Sequence, residues 1–192
     1  MHLNAEIPWE RYALIADLIK RFHDQGTTLR KTALQKLVFL LQRVFTVDCD
    51  YGYTLYTYGP YCADLARDLD IVEGLGGAEV TYDGSCGGYE IRPGSTTDEL
   101  RGRAADFLDQ IAEPLDRLIA DYGRSTAKDL ELRSTIIYLA KPGRSTQELV
   151  RMVNGVKPHF TEAQIDVARR ELEQNGYLAG AIAQAHALTA AR

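Results

Sequence analysis

Asp64 and Asp68 stand four residues apart, so on a helix their carboxylates share one face. Two carboxylates can work as a general acid and base only where desolvation of one separates their pKa values. Here Arg67 lies three residues from Asp64 and next to Asp68, and the pattern reads as a solvated acidic helix face. Cys86, in the run GSCGG, has no local base that would make it a nucleophile and reads as the tip of a turn. His2, His23, His159 and His186 are scattered, and no HExxH or Cys/His cluster occurs, so no metal site is expected. GLGG, residues 74–77, lacks the context of a phosphate loop and reads as a helix stop. No catalytic residue and no cofactor are assigned.

The densest chemistry is aromatic. YGYTLYTYGPYCADL places Tyr51, Tyr53, Tyr56, Tyr58 and Tyr61 within eleven residues around Gly59-Pro60. Alternation puts Tyr51, Tyr53 and Leu55 on one side of a strand and Thr54, Tyr56 and Tyr58 on the other. Tyr51, Tyr53 and Tyr61 are expected to pack. Tyr56 and Tyr58 are the candidate partner contacts, with Asp64 and Asp68 beside them in sequence. Tyrosine suits that role because it offers a large contact area at small entropic loss.

The elements that must position these residues follow from periodicity. Apolar residues from Trp9 to Phe22 predict a helix over 8–23, with Pro8 in its first turn and Gly26 as its stop. Thr27 or Thr28 would cap a second helix, LRKTALQKLVFLLQRVF, whose wide apolar face implies packing on more than one side. A strand then ends at Gly59-Pro60, and Pro60 opens a third helix of about 14 residues. AEVTY and YEIR predict a hairpin. Helix, helix, strand, helix, hairpin is a winged-helix order. Beyond it, one helix runs through Leu100, Ala104, Phe107, Leu108 and Ile111 and is broken or kinked by Pro114. PLDRLIADYG continues as helix, Ser125 or Thr126 caps another, and STQELVRMVNG with TEAQIDVARRELEQNGYL forms a second helix-turn-helix-like unit. Thr161 and Gln164 resemble a capping box there, and the alanine-rich tail is expected to be helical. The expected division is a winged-helix-like module, residues 1–93, and a helical lobe, residues 94–192, with one intertwined domain as the alternative.

At 192 residues and 45% hydrophobic the chain can bury a core without staples. Cys49, Cys62 and Cys86 are an odd set with no CxxC pair and read as reduced structural thiols. The start lacks a basic region followed by an apolar core, and no apolar run is long enough for a membrane span, so a cytoplasmic location is expected and no membrane partner. A net charge of −5 argues against a protein that coats nucleic acid. A local basic face would be built from Arg30, Lys31, Lys36 and Arg43 of the second helix, or from Lys157, Arg169 and Arg170 near the C-terminus. The third helix, with Asp64, Asp68, Asp70 and Glu73 against Arg67, would be repelled by phosphates.

KTALQKLVFLLQRVF followed by YTLYTYGPYCADLARDLD, and later ELRSTIIYLAK and VKPHFTEAQIDVARRELEQNGYL, resembles the YwgA-like family of small bacterial and archaeal proteins. More distantly it is similar to the Panacea domain of antitoxins and phage-associated proteins. The family usually carries a small residue such as serine where this chain has Cys62. The YwgA resemblance implies no activity and no catalytic residues; the Panacea resemblance implies a protein that recognises and neutralises partner proteins. Three readings follow: a non-enzymatic, antitoxin-like or accessory protein that binds a partner protein; a DNA-binding regulator; and an enzyme built on Tyr58, Asp64 and Asp68 near Gly59. A second copy of the chain is a further candidate partner.

Overall fold

A computed structural model describes residues 7–85 and 87–190, with side chains placed up to residue 183. Cys86, His2 and the side chain of His186 therefore lie outside the described residues. The element order is α1 (Trp9–Asp24), β1 (Leu29–Arg30), α2 (Lys31–Val44), β2 (Thr54–Tyr56), β3 (Gly59–Tyr61), α3 (Ala63–Gly74), β4 (Ala78–Asp83) and β5 (Gly88–Pro93). There follow α4 (Thr97–Gly102), α5 (Ala105–Gln110), α6 (Ala112–Tyr122), α7 (Ala127–Leu139), α8 (Thr146–Val156), α9 (Glu162–Gln174) and α10 (Tyr177–Ala190). The chain is mostly helical, with a three-stranded and a two-stranded antiparallel sheet. No helix among the described residues is long and apolar enough to cross a membrane.

The backbone groups into two units interleaved along the sequence: the described residues up to Leu34 with Ala63–Asp116, and Gln35–Cys62 with those from Arg117 on. The first unit is built on α1, whose Leu14, Ile15, Leu18 and Ile19 are almost fully buried. Apolar residues on several faces of one helix require neighbours on several sides, and α1 packs against α3, α4, α5 and β5. Asp17, also buried in α1, is held by Arg21 at 2.5 Å and Arg101 at 2.8 Å, the pairing that a buried carboxylate needs. The sheet order is β1-β5-β4, with Leu29 opposite Ile91 and Val80 opposite Ile91 on the other side.

The second unit centres on α2 from Gln35 onward and on α7. Leu37, Val38, Phe39, Leu40 and Leu41 are all buried, as are Leu130, Leu132, Ile136 and Ile137. Three of its helices start with reciprocal capping boxes: Thr126 with Asp129, Ser145 with Glu148 and Thr161 with Gln164. Each satisfies two backbone N–H groups that the helix itself leaves orphaned. The expected Thr161–Gln164 box is therefore present.

Several expectations are corrected. Leu29 and Arg30 leave the second helix to pair with β5, so neither Thr27 nor Thr28 caps it; the Thr27 hydroxyl donates to Phe22 O instead. Gly59-Pro60 does not end a strand and open a helix, because both residues lie inside β3, which pairs back on β2. The single helix expected through Leu100 and Ile111 is two shorter ones, α4 and α5, and Pro114 does not break a helix but sits in the first turn of α6, where its missing N–H is no loss.

Candidate functional site

The tyrosine segment is a hairpin in the second unit. Thr54 faces Tyr61, Leu55 faces Pro60 and Tyr56 faces Gly59, with Thr57 and Tyr58 at the turn. Two glutamines of α2 hold its flanks by the same device. The Gln35 Nε2 donates to Cys62 O at 2.9 Å while its Oε1 accepts from Cys62 N at 2.8 Å. The Gln42 amide does the same to Tyr51, at 3.0 and 3.2 Å. Seven residues is close to two helical turns, so Gln35 and Gln42 stand on one face of α2 and grip the two ends of residues 51–62. A primary amide presents a donor and an acceptor as a strand neighbour would, so each glutamine replaces one rung of a missing strand.

Two lysines secure the middle. Lys36 Nζ donates to Pro60 O at 2.8 Å, and Lys157 Nζ donates to Thr57 O and, at 3.4 Å, to Tyr56 O. Both lysines are buried. Lys157 also meets Glu131 Oε1 of α7 at 2.7 Å, a charge contact whose angles fall outside those of a hydrogen bond. His159 Nε2 lies 3.5 Å from the same oxygen. Burial pushes the Lys36 ammonium down to about 8, Lys157 pushes the same way, and Glu131 opposes them. Two ammoniums against one carboxylate leave a buried excess of positive charge, directed onto carbonyl oxygens of the hairpin.

Gly59 closes the arrangement. Its φ of +96° is the left-handed region that favours glycine, and a Cβ there would stand 3.3 Å from Lys36 Cε and Ser134 Oγ and 3.4 Å from Thr135 Oγ1. The outer side of the hairpin carries Tyr56, 67% exposed, Tyr58, 65% exposed, and Tyr61, 38% exposed; the Tyr56 and Tyr61 rings lie 5.9 Å apart. Tyr51 and Tyr53 face inward, and the Tyr53 ring packs edge-on against Phe39 at 5.1 Å. Tyr61 thus departs from the expectation that it packs: pairing opposite Thr54 sends its ring outward with that of Tyr56.

The other expected site residues are distributed differently. Asp64 and Asp68 belong to the first unit, on α3. Asp64 is paired with Arg67 at 2.5 Å. Asp68 is not on a solvated face: it is buried and lies 3.7 Å from Arg11. Of the basic residues, Arg30 lies against Asp83 and Glu90 at 3.1 and 3.3 Å, and Lys31 against Asp70 at 3.5 Å and the Tyr89 ring. Lys36, Lys157 and Arg169 are buried, not surface cations, and Arg169 is held by Asp166 and Glu173 at 3.0 and 2.7 Å. Arg43 is half-buried, and Arg170 is exposed and paired with Asp166 at 3.1 Å. Sequence reasoning missed Gln35, Gln42, Glu131, Ser134 and Thr135. The signal for the first two was a pair of glutamines seven apart on a helix with a wide apolar face.

No family model matches the chain. Over 161 residues it is 24% identical to the uncharacterized protein YwgA of Bacillus subtilis (strain 168), a match spanning 83% of this chain and 94% of that protein. The chain is similar to YwgA over a length that includes both the LQKLVFLLQ helix and the tyrosine hairpin.

Proposed function

We propose that this is a non-enzymatic interaction protein that binds a partner protein through the outer face of the β2–β3 hairpin. The observation that carries the reading is the combination of three outward tyrosines with a backbone held by Gln35, Lys36, Gln42 and Lys157. An aromatic surface fixed in advance loses little entropy on binding, and exposed tyrosines are enriched where proteins meet. An antitoxin-like or accessory role, and with it the distant likeness to the Panacea domain, belongs to this proposal. So does a cytoplasmic setting, in which the buried thiols of Cys49 and Cys62 stay reduced. The test is affinity purification of the tagged chain and of Y56A/Y58A from the native host. One protein should be enriched with the unaltered chain and lost with the variant; equal recovery with both would remove the hairpin from the contact.

A second reading, a DNA-binding regulator, is favoured by one observation. The order α1–β1–α2–β2–β3–α3–β4–β5, with β1, β5 and β4 forming one sheet in that order, supports a winged-helix arrangement in which β2–β3 is an insertion. Against it, α3 carries Asp64, Asp68, Asp70 and Glu73 with Arg67 alone, and the basic residues nearby are paired with carboxylates. Absence of duplex binding at low salt would end this reading.

A further inference from the structure

Lysines and arginines of the described chain mostly lie against carboxylates, as Arg21, Arg30, Arg101, Arg133 and Arg169 do. Lys141, Arg144 and Arg151 differ. Within the second unit they line one open surface depression together with Pro142, Glu148 and Met152, and none of the three forms an ion pair among the described residues. The one acid of the lining, Glu148, is engaged in a helix cap. Glu148 Oε2 accepts from Ser145 N at 2.9 Å and from Ser145 Oγ at 2.8 Å, which completes the cap of α8. These bonds hold the Glu148 carboxyl below its ordinary range, with a smaller contribution from Arg144 and Arg151. The depression therefore presents two exposed cations, Lys141 and Arg151, beside a half-buried Arg144 whose guanidinium donates to Leu139 O, and Glu148 offsets their charge only in part.

Its apolar part is equally specific. Met152 is 38% exposed, and Val156, one turn further along α8, is 45% exposed. Residues four apart on a helix are neighbours, so an apolar strip runs along α8 from the rim of the basic depression. A nucleic-acid backbone would use the cations and leave this strip uncovered. A peptide alternating acidic and aliphatic side chains would engage both, placing carboxylates on Lys141 and Arg151 and aliphatic groups on Met152 and Val156.

We propose that this face of α8 and the α7–α8 loop is a docking site for an acidic, aliphatic peptide segment of a partner protein. It differs in residues and chemistry from the tyrosine hairpin and does not depend on that reading. The experiment is fluorescence anisotropy with three labelled probes: a short peptide of alternating Glu and Leu, its Lys–Leu counterpart, and a short mixed-sequence DNA duplex, each at low and physiological salt. The Glu–Leu peptide should bind more weakly as salt rises, while the Lys–Leu peptide does not bind. Replacing two screened surface cations by carboxylates in K141E/R151E should weaken binding about tenfold, and removing apolar contact in M152S should weaken it about threefold. Y56A/Y58A should leave it unchanged, which separates failure of this site from failure of the hairpin reading. Tighter binding of the duplex with no effect of M152S would reassign the face to phosphate. Peptide binding indifferent to K141E/R151E, weakened by Y56A/Y58A or undetectable at low salt would overturn the proposal.

Discussion

Lys36 gives the sharpest link between the clamp and a measurable quantity. Its ammonium is buried among α2, β3 and α7 residues of the second unit, with Pro60 O as acceptor, and its pKa falls from 10.5 to about 8. The folded chain thus holds this proton less tightly than the unfolded chain does. Stability from this group is fully present above 10.5 and is lost as pH falls through 8, so the protein gains stability as pH rises across that window. At about 1.4 kcal/mol per pH unit the whole effect is about 3 kcal/mol, of which about 2 kcal/mol appears between pH 7 and 9.5. Tyr12, Tyr53, Tyr122 and Tyr177 all have raised pKa values and act in the opposite direction above about pH 10. The measurement therefore stops at 9.5. Urea unfolding of the unaltered chain and of K36M, at pH 7, 8, 9 and 9.5, provides the assay. K36M loses the bond to Pro60 O but also the buried charge, so near pH 7 the two effects largely offset. The difference between the two proteins should shift by about 2 kcal/mol in favour of the unaltered chain by pH 9.5. Parallel curves for the two proteins would show that Lys36 is not a buried ammonium of lowered pKa.

Other parts of the clamp make separate predictions. G59A should lower stability by roughly 1–2 kcal/mol or more, from the left-handed φ and from the close approach of Lys36, Ser134 and Thr135, read as a fall in the urea midpoint. Q35A removes both bonds to Cys62 and should cost about 2 kcal/mol, with faster hydrogen exchange at the Cys62 amide. E131Q leaves Lys157 buried beside a neutral group and should destabilise by about 3 kcal/mol, and E131Q/K157M should recover part of that loss; a harmless E131Q would show that the pair is not held as a buried ion pair.

What could be read in the sequence was local. The helix α1, the hairpin β4–β5 and the Thr161–Gln164 box are set by periodicity, turn glycines and residues three apart, and they stand where they were expected. The alternation of Tyr51, Tyr53 and Leu55 with Thr54 and Tyr56 likewise separates inner from outer side chains. What failed depended on distance along the chain. Gly59-Pro60 has the composition of a strand end, yet it continues as β3 because Lys36 and Lys157 donate hydrogen bonds to its hairpin's carbonyls, and Lys157 lies 100 residues beyond Thr57. Lys36, Lys157 and Arg169 were assigned to a surface because lysine and arginine are rarely buried unless paired. Their acceptors, Pro60 O, Thr57 O, Glu131, Asp166 and Glu173, come together only in the folded chain or as ordinary helix-face neighbours. Asp68 escaped for the same reason, since a spacing that places it beside Asp64 says nothing of Arg11.

In the proposed function the outer face of the clamped hairpin, not the clamp itself, makes contact with a partner. Tyr56 and Tyr58 are about two-thirds exposed, so Y56A/Y58A should unfold in urea within about 0.5 kcal/mol of the unaltered chain. Comparative affinity purification of the two proteins, with folding measured on the same samples, separates loss of contact from loss of fold. The unaltered chain should hold an identified partner that the equally stable double variant releases. Retention of that partner by Y56A/Y58A would contradict it.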